Sequence, residues 1–469
     1  MATYRPTIGL EIHAELKTAT KMFCACKNDP DEKRPNSNVC PICLAHPGTL
    51  PVMNREAVRQ VLRVGAALGS KLADVTEFDR KSYFYPDIPK GYQISQYEHP
   101  LVSGGELAGV AITRVHLEED TARSTHTKGK SLVDFNRAGV PLMELVTEPV
   151  IHDAETAATF ARELQLLLRT LGAGDANLEK GEMRIEANIS ISEQKTVDSK
   201  QLGTKVEVKN LNSFRSVERA IAFEIARQTN ALEKGERLIQ ETRGWDEGKS
   251  VTFHQRTKEG SADYRYFPEP DLPPLTLSEV VDLRLEALET TLPELPWERR
   301  ARYSALGALK DPDIIFITAT SERSDFIDAV IAECKGDAKL ITLAVNYFVS
   351  DLAGEVGPLS PTNFAQLMRM IATSELSSRG GKDVLAVMKA SGGEPGQIAT
   401  EKGLLQMHNT EALARAVQKV IEANPKVAAD YREGKQAALQ YLLGQVMRET
   451  KGAGNPVALR ELLLATLSK

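Results

Sequence analysis

The sequence predicts an α+β protein, with an N-terminal domain built on an antiparallel-rich sheet followed by helical domains. Three observations predict it. Residues 7–17, TIGLEIHAELK, alternate without a break. Ile8, Leu10, Ile12, Ala14 and Leu16 fall on one face and Gly9, Glu11, His13, Glu15 and Lys17 on the other, the period of a strand. Similar alternation recurs to about residue 280, and beyond 295 it gives way to apolar residues at helical spacing. Between the two textures lie proline-rich stretches at 267–275 (FPEPDLPPL) and 292–297, which fit neither a helix interior nor a central strand. The expected domains are therefore 1–290, 291–395 and 396–469.

The elements follow in order. Within the first domain, residues 155–171 and 214–233 break the alternation with helical spacing. Residues 391–396, SGGEPG, read as a linker by composition. Residues 400–469 read as a small helical domain in which Asn409 is a candidate helix cap and Asn424 with Pro425 breaks a helix.

Bulk properties set limits. The chain has 469 residues, 42% hydrophobic and 26% charged, which suits a soluble globular protein. The net charge of −6 supplies no global basic footprint for nucleic acid, so any such contact rests on local patches. Residues 400–469 carry a net +3, from ten Lys and Arg against seven Asp and Glu. No secretory leader, transit segment or membrane-length apolar run is visible, which makes the cytosol the expected location.

Four of the five cysteines fall within twenty residues, as Cys24-x-Cys26 and Cys40-x-x-Cys43. Two close pairs joined by a short polar loop fit a tetrahedral structural zinc site. The alternative is four thiols in a poorly packed loop. Cys334 lies in an apolar helical stretch and reads as a packing residue.

Four further strands resemble 7–17 in placing charges on one face. Residues 183–191 align Arg184, Glu186, Asn188 and Ser190; residues 205–209 align Lys205, Glu207 and Lys209. Residues 114–120 align Arg114, His116, Glu118 and Asp120, and Glu144 stands alone in the apolar run LMELV. Any one such strand reads as a solvated sheet face. Five together, repeating glutamate, histidine and basic groups, suit a cation with phosphate oxygens. No Walker A loop, GxGxxG or kinase signature accompanies them. Two aromatic, basic loops, 78–96 and 263–271, are candidates to stack on a base or hold phosphate, or are simply pinned to the core.

Over nearly its full length the chain resembles the B subunits of the aspartyl/glutamyl-tRNA amidotransferases. The resemblance rests on IGLEIHAEL, NSNVCPICLAHPGTLPVMN, FDRKSYFYPDIPKGYQISQ, RVHLEEDTARSTH, DFNRAGVPLMELVTEP, KVEVKNLNSF, SADYRYFPEPDLPPL and GQVMRETKGAGNP, in that order. It implies a cradle-shaped catalytic domain, a helical middle domain and a tail domain that contacts tRNA. It implies an ATP-dependent ligase, one of three proteins in a heterotrimer whose other members are an amidase and a small third protein. The amidase releases ammonia from glutamine. The B-type protein phosphorylates the side-chain carboxylate of misacylated Glu-tRNA(Gln) or Asp-tRNA(Asn), so that ammonia displaces phosphate.

Carried over by motif, the resemblance makes His13, Glu118 and Glu144 magnesium ligands, with Glu11 beside them as a fourth catalytic residue. It makes Cys24, Cys26, Cys40 and Cys43 zinc ligands. Lys81, Arg184, Lys205 and Lys209 are candidate phosphate contacts, and Glu186, Asn188 and Glu207 share their polar faces. The family usually reads Arg-Cys-Asp where this chain has Arg184-Ile185-Glu186, one methylene longer at the carboxylate. Glu15 is expected to lie outside the site. Lys435, Arg448 and Lys451 are candidate tRNA backbone contacts or a solvated helix face. Two other classes stay open at this point: a non-catalytic tRNA-binding scaffold, and a magnesium-dependent acid–amine ligase acting on a free small molecule.

Overall fold

A computed structural model describes residues 4–193, 202–257, 264–406, 410–450 and 456–467. The chain divides into two compact units, Met1–Pro296 and Trp297–Lys469.

The first unit is organised by a ten-stranded sheet. Its long strands are β1 (Tyr4–Glu15), β2 (Val110–Glu119), β3 (Pro141–Thr147), β4 (Met183–Glu193), β5 (Val206–Lys209), β6 (Glu241–Asp246) and β7 (Val251–Thr257). They lie in the order β7-β6-β5-β4-β1-β3-β2, and short strands continue the sheet beyond β2. Every long pair is antiparallel except β5 with β6. The alternation in residues 7–17 is real: Ile8, Leu10, Ile12 and Ala14 are fully buried on one face, with Ile185, Ala187 and Ile189 beside them from β4.

Three helices flank the sheet. α1 (Arg55–Ala67) packs on β2, α3 (Phe214–Glu233) packs on β4, and α2 (Ala154–Thr170) packs on α3. Helices α2 and α3 match the helical spacing in the sequence and are capped by Asp153 and Ser213. α1 is not among the expected helices. Its signals are local: Asn54 caps it by accepting from the Glu56 and Ala57 amides, and buried Ala57, Val58, Val61, Leu62 and Val64 repeat at helical spacing. Gly65 lets this helix approach the sheet, because a Cβ there would lie 2.6 Å from Val102 Cγ2.

The proline-rich stretch supplies only two-residue edge strands. Phe267–Pro268 joins Asp79–Ser82 and Tyr92–Ser95 in a small three-stranded sheet, and Leu275–Thr276 pairs with Val75–Thr76.

The second unit is helical among the described residues. One core gathers residues from Tyr303 to Ala399 and includes buried Cys334; a second gathers Leu413, Val417, Leu439, Leu442, Val446, Leu459 and Leu463. The stretch 391–396, a linker by composition, is a tight turn between the helices Ser378–Ser391 and Pro395–Glu401. Asn363 donates to the Gly393 carbonyl at 2.8 Å, Glu394 caps the next helix, and Ile398 and Ala399 pack in the first core. Its glycines and proline mark a chain reversal, and the change of core comes after residue 404. Pro425 starts a new helix directly after Ala423, whereas Asn409 lies outside the described residues. No described helix is long and apolar enough to cross a membrane.

Candidate active site

Strand register brings the charged residues together. His13 lies opposite Arg184 on β4 and opposite Glu144 on β3, and Glu144 lies opposite His116 on β2. Arg184, His13, Glu144 and His116 thus form one row across four strands. Directly paired side chains on a sheet face stand about 5 Å apart, so the row is a contact network by construction. Glu11 pairs with Glu186 two residues along β1, and Glu118 lies two residues along β2 from His116, opposite Leu142.

The row floors a cavity of about 700 Å³, within the usual range for a small-molecule site. Its lining includes Glu11, His13, Lys81, Glu118, Glu144, Arg184, Glu186, Lys205, Glu207 and Lys209. Asn188 shares the β4 face but is not among the lining residues. It lies opposite Gly9 and Glu207, and its Oδ1 is buried without a hydrogen-bond partner among the described residues. Glu15 does not line the cavity. Burial and the nearby Asp120 carboxylate nevertheless push its pKa to about 7.

At the centre, His13 Nε2 lies 3.4 Å from Glu118 Oε1 and 3.3 Å from Glu144 Oε2. His116 Nε2 lies 3.3 Å from the same Glu144 oxygen, and Lys81 Nζ lies 3.8 Å from Glu118 Oε2. The Ser95 hydroxyl donates to Glu118 at 3.1 Å. Both carboxylates are almost fully buried.

Electrostatics separate the three central acids. Burial opposes ionisation of Glu118, but the Lys81 ammonium and His13 draw its pKa down to about 2. Burial likewise opposes Glu144, and His116 with His13 hold it well below the usual carboxylate range. Glu11 goes the other way, raised by burial and by the like charges of Glu144 and Glu186. Burial works against a charged His13, yet its hydrogen bonds to Glu118 and Glu144 outweigh that and hold it well above an ordinary histidine. Lys81 is held protonated by Glu118 and Glu144 against its own burial.

Among the described residues of the cavity, three overlapping groups could hold a cation, with ligand atoms within 4.8 Å of one another: Glu11, His13 and Glu144; His116, Glu118 and Glu144; and Glu11, Glu186 and Glu207. Around the third group, Lys209 Nζ donates to Glu186 at 2.8 Å and the Thr242 hydroxyl donates to Glu207 at 2.6 Å. Opposite, Arg184 donates to Asp120 at 2.7 Å, and burial of the Asp120 carboxylate is outweighed by Arg184 and Arg137, which lower its pKa.

The two aromatic loops meet over this floor. Tyr83, Tyr85, Tyr97, Tyr264 and Tyr266 line the cavity. Tyr97 and Tyr266 stack with centroids 4.4 Å apart, and Lys81 Nζ lies 5.3 Å from the centre of the Tyr264 ring. Asp263, at the head of the second loop, lies outside the described residues. Sequence patterning places Arg114, His116 and Asp120 on a common face without assigning them to the site. The same strand that delivers Glu118 delivers them, which is the signal that finds them. Arg256 and Gln240, also in the lining, carry no such signal.

The cysteine quartet forms a separate cluster. All four are free thiols whose sulfurs lie within 4.8 Å of one another. Cys43 Sγ lies 4.0 Å from Cys26 Sγ and 3.9 Å from Cys40 Sγ. Zn–S bonds of about 2.3 Å in a tetrahedron place sulfurs about 3.8 Å apart, so the spacing fits zinc. The Cys43 thiol is drawn down to about 5, first by its hydrogen bond with Cys24.

In the tail, Lys435 and Arg448 are exposed, and Lys435 pairs with Asp430 at 2.7 Å. Lys451 lies outside the described residues.

Comparison with known proteins identifies the lineage. Residues 6–281 match the family described as the GatB/GatE catalytic domain, and residues 325–467 match the GatB domain. The chain is 44% identical over 488 residues to the B subunit of the aspartyl/glutamyl-tRNA(Asn/Gln) amidotransferase of Thermomicrobium roseum, covering 99% of both chains. It is 45% identical over 477 residues to the same protein of Thermus thermophilus, again with 99% of both chains covered. The chain belongs to the family of aspartyl/glutamyl-tRNA(Asn/Gln) amidotransferase B subunits.

Proposed function

We propose that this chain activates the side-chain carboxylate of glutamate or aspartate carried on a misacylated tRNA(Gln) or tRNA(Asn), using ATP, and that the activated carboxylate is amidated in the same cavity. An amidase and a small third protein complete the heterotrimer, and the amidase supplies ammonia from glutamine. The observation that carries the reading is the row Arg184, His13, Glu144 and His116, joined by Glu118 and Lys81 at the floor of one cavity.

A free carboxylate resists ammonia because oxide is a poor leaving group. In the first step a carboxylate oxygen of the substrate attacks the γ-phosphorus of ATP, and ADP leaves. In the second step ammonia attacks the carbonyl carbon of the acyl phosphate, inorganic phosphate leaves, and the amide nitrogen sheds its extra proton. The first step crowds anions together, so it needs cationic groups where charge gathers. Lys81, Arg184, Lys205 and Lys209 surround the floor and take phosphate or carboxylate oxygens.

The donor chemistry fits magnesium: Glu118 and Glu144 are ionised acids, and His13 and Glu11 complete the set. Imidazole is an uncommon ligand for so hard a cation, and the proton held on His13 must leave before its nitrogen can ligate. Magnesium, when bound there, neutralises phosphate oxygens and aligns them for transfer. Glu11, Glu186 and Glu207 offer a second carboxylate group for a cation on the Lys209 side. Glu186 reaches this group with its longer side chain and a Lys209 hydrogen bond. Zinc in the cysteine quartet has a structural role, because all four positions are filled by protein sulfur.

A scaffold role gives no account of the cost of burying Glu118 and Glu144 beside two histidines and a lysine. The cradle unit takes the aminoacylated end, and the tail helices, through Lys435 and Arg448, contact the tRNA backbone. The test is to reconstitute the chain with its amidase and the small third protein, and to supply each misacylated tRNA with ATP and glutamine. Amide formation that requires both ATP and this chain supports the reading. Amidation of free glutamate or aspartate without tRNA would point instead to a small-molecule ligase.

A further inference from the structure

Lys21 is among the largest fully buried side chains in the protein, with no exposed surface. Its hydrogen-bond partners among the described residues are the Phe135 carbonyl, 3.1 Å from Nζ, and Cys43 Sγ at 3.9 Å. No carboxylate among the described residues is paired with it. A buried ammonium without an anion is costly and is expected to have a counter-charge close by.

The surroundings hold it in place. The Lys21 amide donates to the Cys26 carbonyl, and the Met22 amide donates to the Gly139 carbonyl. Gly139, at φ +85°, lies over the stem of Lys21: a Cβ there would sit 3.5 Å from Lys21 Cδ and 3.7 Å from Cys43 Cβ. The chain has thus been shaped around the lysine stem, and its charged end points at the cysteine cluster.

We propose that Lys21 is the built-in counter-cation of a tetrathiolate zinc centre formed by Cys24, Cys26, Cys40 and Cys43. Four thiolates around a divalent ion leave a double negative charge in a partly buried site, and a single ammonium beside Cys43 halves it. Lys21 is a positioning residue: it supports the ligands and does not bind the metal. The inference rests on the zinc reading given above and names the residue that makes such a centre tolerable in the core. It also ties the centre to the cavity wall, because the 135–139 turn that Lys21 grips donates the Gly139 amide to the Asp120 carbonyl.

The test uses the full-length chain with zinc, a colorimetric chelator to measure affinity and release, and cobalt(II) substitution to report tetrathiolate coordination. The native chain should hold one zinc. Lys21→Met, similar in volume but uncharged, should fold with zinc in excess and bind it about tenfold or more weakly, the usual scale for loss of a group supporting metal ligands. Cys26→His then separates charge from packing. A Cys₃His centre carries one negative charge fewer, so K21M/C26H should hold zinc better than K21M, while C26H alone should weaken the native site. K21M affinity equal to native, or the same effect of C26H in both backgrounds, overturns the inference. A K21M chain that folds only when C26H is added supports it. Failure to fold in both assigns Lys21 to packing and overturns it. A native chain that binds neither zinc nor cobalt overturns the zinc reading and this inference with it, whereas equal binding by native and K21M chains overturns the inference alone.

Discussion

The cavity floor and the cysteine quartet lie in the same unit and are both clusters of side chains able to hold a metal, yet they are built in opposite ways. The quartet draws four identical ligands from twenty consecutive residues and closes on itself. The floor draws glutamates and histidines from β1, β2, β3, β4 and β5, mixes them with lysine and arginine, and opens into a cavity. Soft, uniform ligands in a closed shell suit a structural metal. Mixed donors with opposed pKa shifts suit a site where charge is moved and substrate enters. In this chain the ligands close in sequence form the closed cluster, whereas those brought together by strand register line the open cavity.

Removing a central carboxylate should have the largest effect. Glu118→Gln keeps the shape but loses the charge that Lys81 and His13 hold, so ATP-dependent amidation by the reconstituted complex should fall about 10²–10³-fold. Glutaminase activity and tRNA binding should persist. Cys40→Ser should act on the other cluster. On the zinc reading it should abolish zinc binding and lower the melting temperature by roughly 5 °C or more, while any residual amidation should respond to magnesium as the native complex does.

A pH titration sharpens the contrast between the clusters. Glu11 and His13 both have raised pKa values without metal, so each holds its proton to higher pH than usual. Magnesium binding must expel those protons, so affinity should rise with pH until both groups are deprotonated and then level off. Calorimetry in two buffers of different ionisation enthalpy reads the proton release directly; pH-independent affinity would remove these groups from the site. Thr242→Val deletes the hydroxyl that orients Glu207 and should cost about tenfold in activity with little loss of stability. Neutralising Lys435 and Arg448 should do least. It should raise the KM for tRNA, lower the salt slope by about one unit per charge, and leave kcat unchanged.

How much is legible in the sequence follows the same division. Alternation reveals β1, β4 and the shared faces of Glu11 with His13 and of Arg184 with Glu186, because a two-residue period needs no knowledge of neighbours. It carries no register, so the contact of His13 with Glu144 and Glu118 rests, before the structure, on family resemblance. Lys21 is invisible there: a lone lysine reads as exposed even next to Met22 and Phe23, and only the packed structure shows it buried against Cys43. α1 is masked by the flanking cysteine and aromatic loops, which dominate that region, although Asn54 and the spacing of its apolar residues announce it. The composition of SGGEPG suggests a joint between domains. The same glycines and proline serve a tight reversal inside one core.

Phosphoryl transfer to a tRNA-linked carboxylate is the role proposed for the floor built on His13, Glu118 and Glu144. Its most direct test is to follow ADP release from labelled ATP in the reconstituted complex, with ammonium salt replacing glutamine, for native and His13→Ala chains. Native complex should release ADP only when misacylated tRNA is present, and His13→Ala should bind that tRNA but release none above background. Native levels of tRNA-dependent ADP release and amide from the His13→Ala complex would remove that role from the floor.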